Sequence, residues 1–285
     1  MNPRSGSGSP TAEELAAEAE HVGVDARLLE PGDDVEEIVG AAAEAGAEAL
    51  GAAGGDGSLG PVAGVALERD LPFVCVPFGT RNHFARDLGL DADDPLAALG
   101  AFRNGREQRV DAATVDGRVF LNNVSLGIYA SFVHDPERKT RNRLVAFLRM
   151  APAALGRSRR PLALAFDVDG KREERLALVA LVASNDYGGG SFSELGERER
   201  LDEGLLHVYV IEAVGRRALL GLLARAALGR SEDAEGLVER AAPRLTVSSP
   251  RPRLHAALDG EAVVLRPPLE FELRPRALRV LVPPA

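Results

Sequence analysis

The sequence predicts an α/β protein of two domains: an N-terminal doubly wound parallel-sheet domain over residues 1–112 and a β-rich antiparallel sandwich over residues 113–285. Three observations carry this expectation. Apolar runs alternate with helical patterns of about 10–15 residues through the first part of the chain, the rhythm of βαβ units. From about Val110 the pattern changes to short strands separated by Asp-Gly pairs, the mark of antiparallel hairpins. Between a strand and a helix stands Gly54-Gly55-Asp56-Gly57-Ser58, where sheets of this kind place their ligand loops.

Taken in order, residues 4–10 are rich in Gly and Ser and read as flexible. Thr11 and Glu14 form a capping box, so a helix should run from there to about His21. Residues 24–29 read as a short strand, and Asp33 or Asp34 caps a second helix ending at Gly46. The small apolar run 47–53 reads as a buried strand, 59–69 as a helix beyond the glycine loop, and 73–77 as the next strand. Asp94-Pro95 opens a further helix with Pro at its first position. In the second half, 110–115 and 118–124 flank Asp116-Gly117 as a hairpin with a type I′ turn, and 162–168 with 175–183 repeat it around Asp169-Gly170. Strands are expected at 205–211, 244–248, 254–258, 262–265, 269–273 and 278–282, with a helix at 216–228.

Composition excludes several classes. A net charge of −9 argues against nucleic-acid binding, which needs a basic field. The lone cysteine, Cys75, cannot form an internal disulfide, which fits a cytoplasmic protein. No run approaches the roughly 18 apolar residues of a membrane span, so any lipid contact is expected to be peripheral.

The glycine loop has a definite physical meaning. A strand, a glycine turn and a helix start together present backbone N–H groups and a positive dipole end to a phosphate. Glycines at 54, 55 and 57 permit positive φ and close approach of a ligand. Asp56 would repel an anion there unless a divalent cation bridges them or the carboxylate handles a proton. Gly and Asp also suit an ordinary turn. A second stretch, Pro77-Phe78-Gly79-Thr80-Arg81-Asn82-His83-Phe84, follows the strand at 73–77. Thr80 and Asn82 should face the same crevice as Asp56, although helix capping would also place such residues.

These blocks resemble the diacylglycerol kinase catalytic family, which includes bacterial lipid kinases and sphingosine kinases. The likeness continues through Asn2-Pro3-Arg4-Ser5-Gly6, 120–127, 184–190, 201–206 and Leu258-Asp259-Gly260-Glu261. It implies a kinase using ATP and Mg²⁺ on a hydroxyl of a diacylglycerol-like lipid at the membrane surface. Asn2 and Ser5 would belong to an opening phosphate loop, joining Gly54, Gly55, Asp56, Gly57, Ser58, Gly79, Thr80 and Asn82 around the nucleotide. Asp56, Asp111 and Asp202 would serve the metal. Asp56 would position nucleotide and metal, while Asp259 or Glu261 would accept the hydroxyl proton. The resemblance also returns the last strand or two to the first domain. His83 departs from it, standing where many members have Asp.

An NAD kinase shares Gly-Gly-Asp-Gly, but the segment at 77–82 differs from the Gly-Val-Asn type that follows there. A lipid or nucleotide sensor without catalysis is a third reading, prompted by His83. Basic residues beside an apolar stripe at 138–150, with Arg157, Arg159 and Arg160, suggest an interfacial helix. Only Met1 precedes the opening loop, so a first strand is expected to be curtailed. As a hairpin turn, Asp259-Gly260 should tolerate Asn at its first position with little change in stability. The oligomeric state stays open, a homodimer included.

Overall fold

In the computed structural model the capping box at Thr11 forms: Thr11 Oγ1 accepts from Glu14 N at 3.2 Å and Glu14 Oε2 accepts from Thr11 N at 2.7 Å. The structure describes residues 1–6, 10–127, 161–168, 170–187, 198–212 and 237–284. The expected helix at 216–228, Asp169 and the basic segment at 138–160 lie outside them. The chain divides into two units, Met1–Ala112 with Arg274–Ala285, and Ala113–Leu273.

In the first unit, α1 (Ala12–His21) buries Leu15 and Ala19. Residues 24–29 do not become a strand. Their backbone meets Met1, through the terminal ammonium to Arg27 O at 2.7 Å and Leu29 N to Met1 O at 2.9 Å. Asp34, not Asp33, caps α2 (Val35–Glu44), accepting from Glu37 N at 3.1 Å. Asp33 accepts from Glu30 N in the preceding turn.

Strand β1 (Leu50–Gly54) begins later than the apolar run suggested and pairs in parallel with β2 (Phe73–Pro77), Leu50 opposite Phe73 and Gly54 opposite Pro77. Between them runs α3 (Asp56–Glu68). After β2 come α4 (His83–Asp87), α5 (Pro95–Leu99), capped by Asp94, and α6 (Ala101–Asn104). Leu15, Ala53, Val74, Val76, Phe78 and Leu99 close the core. Cys75 is buried in β2, where desolvation and then the charge of Asp56 push its thiol up.

The second unit is antiparallel. Strands β3 (Arg106–Val115) and β4 (Arg118–Phe120) flank Asp116 and Gly117 at φ 49° and 80°, the left-handed pair that a type I′ turn requires. The single strand expected at 118–124 is split, because β5 (Asn123–Gly127) starts only after a break at Leu121 and Asn122. There follow β6 (Leu162–Val168), β7 (Lys171–Ser184), β8 (Leu206–Glu212), an unforeseen β9 (Leu237–Ala242), β10 (Arg244–Ser248), β11 (Leu254–Leu258), β12 (Glu261–Leu265) and β13 (Leu269–Val282).

Long β7 organises this unit. It pairs with β6 over Lys171–Ala177, with β5 over Val179–Ala183, and with β8 along its second half. Alternate residues such as Leu126, Phe166, Val182 and Val208 face one core, with Phe120 edge-on to Phe271 at 6.2 Å. Strand β13 is kinked at Arg276 (φ 50°). Its first residues pair with β10, and Val280 and Leu281 extend the first unit's parallel sheet beside β2. Among the described residues no helix is long and apolar enough to cross a membrane.

Candidate active site

Two β–α turns of the first unit meet backbone to backbone. Strand β1 ends at Gly54, Gly55 is the N-cap of α3 without a side-chain cap bond, and Asp56 is already helical. The glycine loop is therefore shorter than expected, and Asp56, Gly57 and Ser58 form the first turn of α3. Ser58 N donates to Gly55 O at 2.9 Å, tightening this turn, and the positive end of the helix dipole lies here.

Gly79, beyond β2, lies directly on Gly55. A Cβ at Gly79 would collide with Gly55 Cα and stand 2.9 Å from Gly55 N, and a Cβ at Gly54 would stand 2.7 Å from Ser58 Cβ. Phe78 N donates to Gly54 O at 3.2 Å, fixing the two turns side by side.

The opening segment joins them. Asn2 N donates to Ala53 O and Asn2 Nδ2 to Ser58 Oγ, both at 2.9 Å. Ser5 N closes a turn on Asn2 O at 3.2 Å, and Gly6 leaves room for the Phe78 ring. Asn2, Ser5, Gly54, Gly55, Gly57, Ser58 and Gly79 are thus gathered at the carboxyl ends of β1 and β2. Thr80 is exposed on the same turn.

Asn82 departs from the expectation that it faces the crevice. Its Oδ1 accepts from Gly79 N at 2.9 Å, and Nδ2 donates to Gly79 O at 3.0 Å and Ala92 O at 3.2 Å. The amide shapes the loop from inside, which explains its burial and its φ of 50° at the N-cap of α4. Asp56 is also a brace: Oδ2 accepts from His83 N at 3.2 Å and Oδ1 from Phe84 N at 3.0 Å. One carboxylate, on the first turn of α3, caps α4 and ties both turns together.

Of the other expected metal residues, buried Asp111 accepts from Arg276 N at 2.8 Å and braces the kink of β13. Asp202 is held by Arg200 at 3.0–3.1 Å. Neither belongs to a three-residue ligand group among the described residues.

In the second unit, Asp259 and Gly260 take φ 47° and 86°, the expected turn, but the Asp259 side chain does more than turn the chain. Oδ2 accepts from Leu121 N at 2.8 Å, and Oδ1 from Asn122 N at 2.8 Å and Asn123 N at 3.0 Å. Three successive amides on one buried carboxylate are what interrupts the strand between β4 and β5.

Arg198 completes this brace, and sequence reasoning missed it because it sits in a charge-rich run that reads as surface. It is buried, donating to Leu121 O at 2.6 Å, Ser184 O at 2.8 Å and Asn122 Oδ1 at 2.9 Å. Asn123 Nδ2 donates to the Tyr187 hydroxyl at 2.7 Å, so both asparagines are structural. Glu261, by contrast, opens β12 with no side-chain hydrogen bond or ion pair among the described residues. Although the residue as a whole is exposed, burial around its carboxyl pushes that group up from its usual value.

The first-unit cradle fits nucleotide phosphates. Gly54 and Gly79 let the two turns and the start of α3 pack closer than any side chain would allow, the start of α3 brings its positive dipole end to this point, and Ser58 adds a hydroxyl held by Asn2. Mg²⁺ commonly binds through one or two carboxylates together with phosphate oxygens, and Asp56, whose oxygens already brace α4, is the carboxylate that would serve here.

The chain is similar to known proteins over both units. Residues 1–115 match the diacylglycerol kinase catalytic domain, and residues 122–282 match the YegS C-terminal NAD kinase beta sandwich-like domain. A diacylglycerol kinase from Mycobacterium tuberculosis is 28% identical, over 99% of this chain and 93% of that protein. A probable lipid kinase of YegS-like type from Pseudomonas aeruginosa is 32% identical, over 88% of this chain and 82% of its own length. The crystal structure of a diacylglycerol kinase from Bacillus anthracis superposes with a TM-score of 0.71 at 19% identity, covering 99% of this chain and 95% of that one.

Proposed function

Because the chain belongs to the diacylglycerol kinase catalytic family, in the branch with a YegS-type C-terminal domain, we propose that it transfers the γ-phosphoryl group of ATP to a hydroxyl of a diacylglycerol-like lipid. The observation that carries this reading is the glycine-on-glycine cradle at the ends of β1 and β2.

Each residue has a role in it. The positive end of α3 draws the phosphates to the glycine turn, the Ser58 hydroxyl orients one of them, and Asp56 keeps α3 and α4 in register beside them. Asp56 would hold Mg²⁺ beside the phosphates, and the ion would supply neutralisation of charge on the phosphoryl oxygens. Glu261 accepts the proton of the lipid hydroxyl. Its raised carboxyl is the better base, whereas the Asp259 carboxylate is committed to three amides. Asp259 is then a positioning residue that fixes the turn carrying Glu261.

Titration with Mg²⁺ and ATP tests the cradle. The wild type should bind saturably, and Gly79→Ala should bind at least about tenfold more weakly, since the added methyl must displace the Gly55 backbone. Overpacking of this kind costs about 1–3 kcal/mol, so the variant should melt lower but still fold. Wild-type affinity in the variant would place the nucleotide elsewhere.

Contact with lipid is proposed to be peripheral, through the basic and apolar residues at 138–150 with Arg157, Arg159 and Arg160. Sedimentation with anionic vesicles should show binding that weakens as salt rises. Binding that is absent or indifferent to salt argues against this contact.

A further inference from the structure

Beside β8 and β9, one imidazole is surrounded by carboxylates. His207 lies on β8 with 6% of its surface exposed. Its Nδ1 is 3.4 Å from Glu239 Oε1 on β9 and 3.9 Å from Asp186 Oδ1, just past the end of β7. Its Nε2 is 3.2 Å from Glu203 Oε2, yet that nitrogen is buried and makes no well-formed hydrogen bond.

Among the described residues the charge is unbalanced: even a protonated imidazole leaves two negative charges uncancelled across the three carboxylates. The nearby arginines are engaged with other groups: Arg240 with Glu173, Arg200 with Asp202, and Arg198 with Leu121, Ser184 and Asn122. The side chains are also held in place. Tyr209 donates its hydroxyl to Asp186 Oδ1 at 2.6 Å, Asp186 N donates to Glu203 Oε2 at 3.0 Å, and the His207 and Tyr209 rings stack.

We propose that Asp186, His207 and Glu239 form a divalent transition-metal site of the Zn²⁺ or Mn²⁺ class, with Glu203 orienting the histidine from behind. One oxygen of each carboxylate and one imidazole nitrogen lie within 4.8 Å of one another. Metal–ligand bonds of about 2.1 Å in a tetrahedron put ligand atoms about 3.4 Å apart, so the His207–Glu239 separation already fits and Asp186 needs a small shift. With Nδ1 on the metal, a slight ring rotation lets Nε2–H donate to Glu203, the carboxylate–histidine–metal arrangement common in such centres. An imidazole ligand selects against Mg²⁺, which prefers oxygen.

Asp186 and Glu239 are partly solvent-exposed, leaving room for water to complete the coordination. The site is distinct from the Asp202 position suggested by the family resemblance, since Asp202 is paired with Arg200. Its effect would be to pin β9, which among the described residues pairs only with β8, to the end of β7.

The test uses untagged, chelator-stripped full-length protein and Zn²⁺ alone. Calorimetric titration should show one saturable equivalent with a Kd on the order of micromolar or tighter, and melting should move up with Zn²⁺. Glu239→Gln and Asp186→Asn should each weaken binding at least about tenfold while their metal-free melting stays near that of the wild type. Glu203→Gln should weaken it by about 10–100-fold without removing a ligand. Absence of saturable binding, wild-type affinity in both Glu239→Gln and Asp186→Asn, or full displacement by Mg²⁺ at about millimolar concentration would each overturn the assignment. Phosphotransfer activity does not enter any of these readouts.

Discussion

Replacing Glu261 by Gln should lower turnover by about 10²–10⁴-fold, the usual worth of a positioned general base. The change keeps size and removes only the ability to hold a proton. Burial raises the Glu261 carboxyl above its usual 4.5, and a base works in its deprotonated form. The wild-type rate should therefore fall as pH drops through a midpoint above the usual glutamate value, and the Gln variant should lack that acid limb.

Stability separates this effect from misfolding. A carboxyl raised in the folded state contributes stability below its unfolded pKa and loses it as pH rises through the folded one. At neutral pH the charged Glu261 is thus mildly unfavourable, and Gln should melt no lower than the wild type. Turnover within about tenfold of wild type with an intact acid limb would remove Glu261 from the mechanism.

The second large effect is on folding. Asp259→Ala should destabilise the protein by about 3–5 kcal/mol, because it strips acceptors from three successive amides while they remain inside the structure. Asp259→Asn keeps one acceptor oxygen and tolerates the positive φ, but its NH₂ faces an N–H donor, so about 1–3 kcal/mol should still be lost. This revises what the turn alone suggested, that Asn at this position would be nearly neutral. Denaturant unfolding measures both, and an Ala variant within about 0.5 kcal/mol of wild type contradicts the brace.

Much of the fold is legible where local chemistry and tertiary structure agree. The Thr11 capping box, the Asp94-Pro95 start and the Asp116-Gly117 and Asp259-Gly260 turns depend on neighbours in sequence, so their residues announce them. The parallel strands β1 and β2 read correctly because burial on both faces leaves a continuous apolar run.

Elements that depend on distant partners are less visible. Residues 24–29 have a strand's pattern, yet among the described residues their backbone bonds go to Met1 and Ala19 rather than to a neighbouring strand. Strand β9, with Glu239 and Arg240 exposed on it, lacks the alternation that reveals a half-buried strand. The break between β4 and β5 is imposed by Asp259, which lies far along the chain.

The same division holds at the site. The glycines and Asp56 are marked by their order between strand and helix, and their convergence with Asn2 and Ser58 follows. The inward turn of Asn82, the burial of Arg198 and the grip of Asp259 on three amides follow from long-range packing that no local pattern encodes.

Transfer of label from γ-labelled ATP, with Mg²⁺, to diacylglycerol in mixed micelles tests the central claim most directly, with NAD offered as the acceptor in a parallel reaction. Labelled phosphatidic acid should form, NAD should stay unlabelled, and Gly79→Ala and Glu261→Gln should both reduce the product. Label in NAD, or in neither acceptor while ATP and lipid still bind, would contradict it.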